Sequence, residues 1–154
     1  MADTLPLDRW PEFRRVHDYL ARKAPPGKLP GRQHIDPLDF PDLLPRIMLI
    51  DVVGNERGKP QFRIRLMGSD VVVLQGQDGT GKYVEQILTG GRDIIAGYRD
   101  ILVTRRPQYR QGTVAAVGRE FIPYERIAFP LASDGENVDM LFFIFVTKLP
   151  PGKA

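Results

Sequence analysis

The sequence predicts one α+β domain built on an antiparallel sheet, and three observations lead to this prediction. The chain has 154 residues, the usual size of a single domain. Segments 46–53 and 61–67 read as two strands joined by a short turn, and segments 108–117, 121–132 and 140–147 read as three more strands after a helical stretch. The last of these is apolar on both faces, so we expect it at the centre of the sheet with cover on each side.

Composition and charge exclude several classes of protein. Hydrophobic residues make up 42% and charged residues 27%, as in ordinary globular domains. Cysteine is absent, which excludes disulfides and cysteine-ligated metal centres. The sequence shows neither a transmembrane segment of roughly 20 apolar residues nor a signal peptide, so we expect a cytoplasmic protein without membrane contact. The net charge of +3 comes entirely from residues 1–34, which disfavours nucleic acid as a partner.

The first predicted element is an amphipathic helix over residues 7–23, with Asp8 as its N-terminal cap. Apolar residues recur in it at three- and four-residue spacing and form one stripe. This stripe can pack on its own domain, or it can pair with the same helix of a second chain. The candidate residues for a homodimer or another protein partner are therefore Trp10, Phe13, Val16 and Leu20.

The next segment, 24–45, contains six prolines and cannot form a long helix, because each proline fixes φ and removes an amide donor. Single helical turns are expected after Asp36 and from Pro41, with proline in the first position. We interpret Asp36, Asp39 and Asp42 as caps rather than as catalytic or metal-binding carboxylates, because no partner converges on them.

The predicted organisation has three parts. Residues 1–45 form the amphipathic helix and a proline-rich lead-in, residues 46–149 form the domain of sheet and helices, and residues 150–154 form a disordered tail.

The middle of the chain predicts a strand and then helices. Segment 61–67 alternates between apolar and charged residues, which indicates one buried face formed by Phe62, Ile64 and Leu66. Segment 69–75 is short and apolar, segment 83–88 fits one to two helical turns, and segment 92–106 predicts a longer helix that Pro107 ends.

The loop that begins at Gly76 nearly matches a phosphate-binding motif. Residues 76–83 read Gly-Gln-Asp-Gly-Thr-Gly-Lys-Tyr, and the apolar segment before them imitates the strand that such a loop follows. However, Tyr83 stands where the motif has the small hydroxyl that binds Mg²⁺, and no parallel βαβ pattern follows. A nucleotide-binding enzyme that uses Gly76 to Lys82 is the least favoured hypothesis, and a glycine-rich connector is preferred.

The remaining polar residues give weak signals. His17 and His34 are isolated, and no serine lies in a nucleophile elbow. Several arginines are explained by a solvated strand face or by the C-terminal end of a helix: Arg63, Arg65, Arg105, Arg106 and Arg110. We therefore expect no catalytic activity and no metal site, and the sequence does not identify a cofactor.

A set of short motifs extends along most of the chain. They are Leu-Pro-Gly-Arg at 29–32, Ile-Asp-Pro-Leu-Asp at 35–39, Leu-Leu-Pro at 43–45, Phe-Arg-Ile-Arg-Leu-Met-Gly at 62–68, the loop 76–83, Pro-Leu-Ala at 130–132 and Asp-Gly at 134–135. Their joint spacing resembles a PAS domain, and in particular a small alphaproteobacterial family of single-domain PAS-like proteins. The resemblance covers about residues 10–148.

The resemblance implies a five-stranded antiparallel sheet of order 2-1-5-4-3, with helices on one face and an additional N-terminal helix. It places segment 140–147 in the centre, in agreement with its two apolar faces. It also implies a sensory or signalling module that binds a small ligand or a protein partner without catalysis, and that often forms a dimer through its N-terminal helix.

Apolar side chains on the predicted inner faces are candidates for a ligand pocket between the sheet and the helices. They are Met67, Val72, Leu74, Tyr83, Ile87, Tyr98, Leu102, Phe129 and Phe143. If these side chains leave a cavity, it would take a small apolar ligand by burial of apolar surface. If they fill the space, the domain would act as a homodimeric interaction module or dock another signalling protein.

Overall fold

The part of the chain that this computed structural model describes, residues 4–87, 92–115 and 121–147, is built around a sheet of five antiparallel strands. The strands are β1 (Ile47–Val53), β2 (Gln61–Met67), β3 (Gln108–Ala115), β4 (Phe121–Leu131) and β5 (Met140–Thr147). Their order is β2-β1-β5-β4-β3. This confirms the predicted order and the central position of β5. Residues 116–117 of the predicted third strand and the predicted tail, 150–154, lie outside the described residues.

Both faces of the central strand β5 are covered, as its two apolar sides require. One face, which we call the N-terminal face, carries Met140, Phe142, Ile144 and Val146. The other, which we call the helical face, carries Leu141, Phe143 and Phe145. Each set packs in a separate hydrophobic cluster, so the sheet divides the core into two layers.

Four helices flank the sheet within the described ranges: α1 (Pro11–Lys23), α2 (Ser69–Gln75), α3 (Val84–Ile87) and α4 (Arg92–Thr104). The proline-rich lead-in forms the predicted single turns as 3₁₀ turns at Pro37–Asp39 and Pro41–Arg46. No helix in these ranges combines the length and the apolar character that crossing a membrane requires.

Helix α1 starts later than the sequence predicts. Trp10 is still extended, with φ −141° and ψ 134°, and Pro11 occupies the first helical turn. Asp8 is therefore not the cap. Its carboxylate accepts a hydrogen bond of 2.7 Å from Arg14 instead.

The three aspartates of the lead-in have different roles. Asp36 is a cap, since its carboxylate accepts a hydrogen bond of 3.0 Å from the N–H two residues further on. Asp39 accepts a hydrogen bond of 2.7 Å from the Tyr19 hydroxyl, and Asp42 pairs with Arg15 at 2.6 Å. The prediction that all three are caps is therefore wrong for Asp39 and Asp42, which hold the lead-in against α1. Within the described residues, no group of histidine and acidic side chains is arranged to hold a metal ion.

A β-bulge in β2 interrupts the predicted alternation. Between Ile64 and Leu66 the register with β1 shifts by one residue, which leaves Arg65 as the additional residue. Beyond the bulge, Leu66 turns away from the face that carries Ile64 and is 42% exposed. The prediction that Leu66 is buried with Ile64 is therefore wrong. The same shift brings Met67 to the helical face, where it packs with that cluster.

Candidate functional site

A cavity of about 340 Å³ lies between the helical face of the sheet and helices α2, α3 and α4. Its apolar wall is formed by Ile64, Met67, Val71, Leu74, Val84 and Ile87. The volume lies at the lower end of the range for small-molecule sites, which begins at about 300 Å³. It corresponds to roughly eleven water molecules at about 30 Å³ each. The cavity therefore suits a small ligand rather than a large cofactor.

A larger cleft, of about 740 Å³, lies at the turn between β1 and β2. Its walls include Arg57, Gly58 and Lys59, which are exposed residues of the turn itself. A ligand there would stay largely in water, because the cleft lacks an apolar wall comparable to that of the smaller cavity. We therefore take the smaller cavity as the candidate site.

Polar side chains of β3 and β4 form the other end of the cavity. They are Arg110, Thr113, Tyr124 and Arg126, and Tyr98 of α4 joins them. Arg126 is only 3% exposed. Its Nη1 and Nη2 donate hydrogen bonds of 3.1 Å to the main-chain oxygen and to Oε1 of Gln108. The guanidinium carbon lies 5.3 Å from the ring centre of Phe143 and 5.9 Å from that of Tyr98. Gln108 and the two rings together fix the position of this guanidinium group.

Two positive charges lie side by side at this end of the cavity. Arg110 and Arg126 lie directly opposite each other across β3 and β4. Among the described residues, neither forms an ion pair with a carboxylate. Burial is the main cause that lowers the pKa of Arg126. Tyr98 and Tyr124 act in the opposite direction, and the nearby charge of Arg110 adds a smaller lowering effect. The polar end of the cavity is thus electropositive.

The two tyrosines at the polar end can act as donors. Burial raises the pKa of Tyr98 to about 12, so its hydroxyl keeps its proton over the whole physiological range. Neither the Tyr98 nor the Tyr124 hydroxyl has a hydrogen-bond partner among the described residues, and both tyrosines line the cavity. The cavity therefore combines an apolar wall with an end made of two guanidinium groups and two phenols.

The structure places only some of the predicted pocket residues in the cavity lining. Met67, Leu74, Ile87 and Tyr98 line the cavity. Leu102 and Phe143 pack in the surrounding hydrophobic cluster, Val72 is half-buried on α2, and Tyr83 forms an antiparallel bridge with Arg63.

Phe129 lies in the cluster of the N-terminal face, so its predicted place in the pocket is wrong. The cause is the pairing register of β4 with β5. Phe129 lies opposite Phe142 and shares its face, whereas Phe143 lies on the other face of the sheet.

Sequence reasoning missed the buried arginine. Because Ile127, Phe129 and Leu131 share one face of β4, the strand period requires Tyr124, Arg126 and Ala128 to share the other. This alternation was the available signal, and the usual exposure of arginine concealed it. Arg110 was expected on a solvated face, but it is half-buried and lines the cavity.

The glycine-rich loop before α3 is a connector. The residues before it form helix α2, not the strand that a phosphate-binding loop requires. The loop is bound to the edge of the sheet, since Ile64 donates a hydrogen bond of 2.8 Å to the Lys82 carbonyl and accepts one of 2.7 Å from Gly81. The segment therefore lacks the strand–loop–helix arrangement of a phosphate-binding loop, on which the nucleotide-binding alternative was based.

The predicted partner residues of the N-terminal helix pack within their own chain. Phe13, Val16 and Leu20 are buried in the cluster of the N-terminal face. Trp10 is half-buried, and its indole Nε1 donates a hydrogen bond of 2.9 Å to Glu125 of β4. The apolar stripe of this helix could pack on its own domain or pair with a second chain, and in the structure it packs on its own domain. In this arrangement the three buried side chains offer no surface to a partner.

Comparison with family models finds none that matches the sequence. Comparison with curated proteins finds no match either. Among solved structures, the chain is similar to a LOV protein of Rhodobacter sphaeroides, with 14% identity and a TM-score of 0.51 over 73% of this chain and 67% of that one.

Two further solved structures are similar at the same level. One is the RsLOV d2 variant, with 14% identity and a TM-score of 0.52 over 77% of this chain and 72% of that one. The other is a light-oxygen-voltage domain described with a flavin analogue, with 11% identity and a TM-score of 0.53 over 73% of this chain and 83% of that one. Identities this low show the fold alone. The chain has the PAS/LOV fold, which confirms the predicted fold class.

Proposed function

We propose that this chain is a non-catalytic, PAS-like sensory module that binds a small ligand in the cavity between the helical face of the sheet and helices α2, α3 and α4. The observation that carries the proposal is the combination, in one cavity of about 340 Å³, of an apolar wall with polar groups that converge at one end. Binding sites for small molecules usually have this composition.

The position of the cavity suits a sensor. Its walls come from β1, β2, β3, β4 and β5 and from α2, α3 and α4, so a ligand would contact most of the domain at once. Burial of apolar ligand surface would supply roughly 25 cal/mol per Å². A ligand changes the conformation only as far as it binds one state more tightly than another. Contacts with three helices and the sheet provide many places where two states can differ.

Native mass spectrometry tests ligand binding. The protein is incubated with a small-molecule extract of its own host cells and analysed beside two variants. Ile87→Trp places an indole in the cavity, whereas Val72→Trp adds the same group to a half-buried position of α2 outside the cavity lining. We expect the wild type and Val72→Trp to retain a small molecule that Ile87→Trp does not.

Circular dichroism checks that both variants fold. Folded protein that retains no small molecule, or that retains it equally in both variants, would show that the cavity is not a binding site. The visible absorption spectrum of the wild-type sample tests whether the retained molecule is a flavin.

Homodimer formation, a signalling protein as partner, a cytoplasmic location and membership of the alphaproteobacterial PAS-like family stay predictions. Light scattering after size-exclusion chromatography tests the dimer at several protein concentrations. Because Phe13, Val16 and Leu20 are buried, a dimer in this conformation would need another surface.

A further inference from the structure

The starting point of the inference is the buried charge of Arg126. Transferring a guanidinium group out of water is unfavourable unless another group compensates its charge. Arg126 is 3% exposed and, among the described residues, has no carboxylate partner. Its neighbour across the strands is a second arginine, and like charges directly opposite each other destabilise a sheet. The part of the domain that the structure describes thus offers this charge hydrogen bonds and aromatic rings but no carboxylate.

We propose that the cavity binds an organic anion, a small carboxylate with an apolar body, and that Arg126 and Arg110 hold its carboxylate group. The inference rests on the proposed function and adds the chemical class of the ligand. It follows from the position of two guanidinium groups, which have no carboxylate partner among the described residues, in the lining of a cavity that also has an apolar wall.

The donor geometry at the polar end fits a carboxylate. A guanidinium group has five N–H donors, and Gln108 accepts two of those of Arg126. Three donors remain on a group that is already held in place, so little side-chain entropy is lost when an anion binds. The Tyr98 and Tyr124 hydroxyls lie at the same end and can donate to the same oxygens. A carboxylate has two oxygens that each accept more than one hydrogen bond, which matches this set of donors.

The apolar wall selects the rest of the ligand. Ile64, Leu74 and Val84 are almost completely buried and surround the part of the cavity away from the arginines. A purely polar anion would leave this wall uncovered, and a purely apolar ligand would leave the guanidinium groups without a partner. The cavity volume equals that of about eleven waters, so an alkyl or aryl carboxylate of about ten heavy atoms suits it.

Isothermal titration calorimetry with octanoate, 1-octanol and octylammonium tests the inference, because the three probes share an apolar body and differ in charge. The proteins are the wild type, Arg126→Gln and Arg106→Gln. Arg106 is exposed and does not line the cavity, so its variant controls for the loss of one positive charge. We expect octanoate to bind the wild type at least about tenfold more tightly than 1-octanol, as charge-assisted hydrogen bonds provide. Arg126→Gln should lose this preference, and Arg106→Gln should keep it.

The outcomes separate the two proposals. If octanoate and 1-octanol bind with equal affinity, and Arg126→Gln changes neither affinity, the cavity is an apolar site. The anion inference is then overturned, and the proposed function stands. If octylammonium binds most tightly, the anion inference is overturned in the same way. If none of the three probes binds folded protein, and the extract yields no retained molecule, both proposals are overturned. If Arg126→Gln does not fold, the same titrations are made with Arg110→Gln, which changes the other arginine of this wall.

Discussion

The indole Nε1 of Trp10 donates a hydrogen bond of 2.9 Å to the Glu125 carboxylate, which joins the segment before α1 to strand β4. Glu125 also accepts hydrogen bonds from Arg9, at 2.7 Å, and from the Tyr109 hydroxyl, at 2.6 Å. Only 12% of its side chain is exposed. The N-terminal segment is thus fixed on the sheet by one carboxylate with three donor residues.

Replacement of Glu125 by Gln should lower the free energy of unfolding by about 1.5–3 kcal/mol, the usual range for hydrogen bonds to a charged group. The amide keeps one acceptor oxygen and loses the charge that pairs with Arg9. Chemical denaturation followed by fluorescence measures the change, since Trp10 is the single tryptophan of the chain. Glu85→Gln, at an exposed position, is the control. Equal midpoints for the two variants would show that the Glu125 cluster contributes nothing to stability.

The same carboxylate should make stability depend on acid pH. The Arg9 hydrogen bond, assisted by those of Tyr109 and Trp10, lowers the pKa of Glu125 from 4.5 to about 2 in the folded state. Because the folded pKa is depressed, the stabilisation is complete above about pH 4.5 and is lost as the pH falls toward 2. The difference in unfolding free energy between wild type and Glu125→Gln should therefore shrink over this window. A difference that stays constant from pH 6 to the acid limit would contradict the assignment.

Truncation of Phe143 to Ala should lower the free energy of unfolding by about 3–5 kcal/mol, the range for a large aromatic removed from a core. Phe143 is completely buried in the central strand, and its ring centre lies 5.4 Å from that of Tyr98. Val103→Ala, at a position that is 83% exposed, is the matched control and should change stability little. Thermal and chemical unfolding measure both variants. A loss below about 1 kcal/mol for Phe143→Ala would mean that the strand is wrongly placed.

Gly68 lies where the backbone leaves no room for a methyl group. A Cβ at this position would lie 2.4 Å from the carbonyl oxygens of both Leu44 and Pro45, although φ of −61° is ordinary for any residue. Gly68→Ala should therefore destabilise the domain by about 1–3 kcal/mol, as overpacking does. Ser69→Ala, at the next and exposed position, is the control. A variant as stable as the wild type would show that the lead-in can move away from α2.

The centre of the sheet could be predicted because its signal is local. The alternating residues of β5 are apolar on both sides, and only a central, doubly covered strand satisfies them. In contrast, the face of the sheet on which the residues of a strand lie cannot be predicted from that strand alone. Alternation shows that Ile127, Phe129 and Leu131 lie together, but the pairing register between β4 and β5 decides which cluster they join. The wrong face for Phe129 therefore follows from a long-range property that a single strand does not contain.

The bulge at Arg65 and the burial of Arg126 could not be predicted from their own strands either. One additional residue in β2 reverses the faces of Leu66 and Met67, and the segment 61–67 carries no glycine that would mark the bulge. Arg126 is buried, although arginine is usually exposed. The large apolar residues that follow it in its strand lie on the opposite face and give no sign of this burial. Departures of this kind from local rules are expected at functional sites.

Replacement of Arg126 by Met should leave the ligand-free domain as stable as the wild type, or more stable by about 1 kcal/mol. An uncompensated buried charge is unfavourable, and apolar residues of similar volume often stabilise a protein at such positions. Met is flexible enough to pack against Tyr98 and Phe143, the rings that now flank the guanidinium group. Chemical denaturation without ligand measures the change, with Arg106→Met as the exposed control. A loss above about 2 kcal/mol would mean that the contacts with Gln108 and the two rings already compensate the charge. In that case an anion would not be needed to explain why the arginine is there.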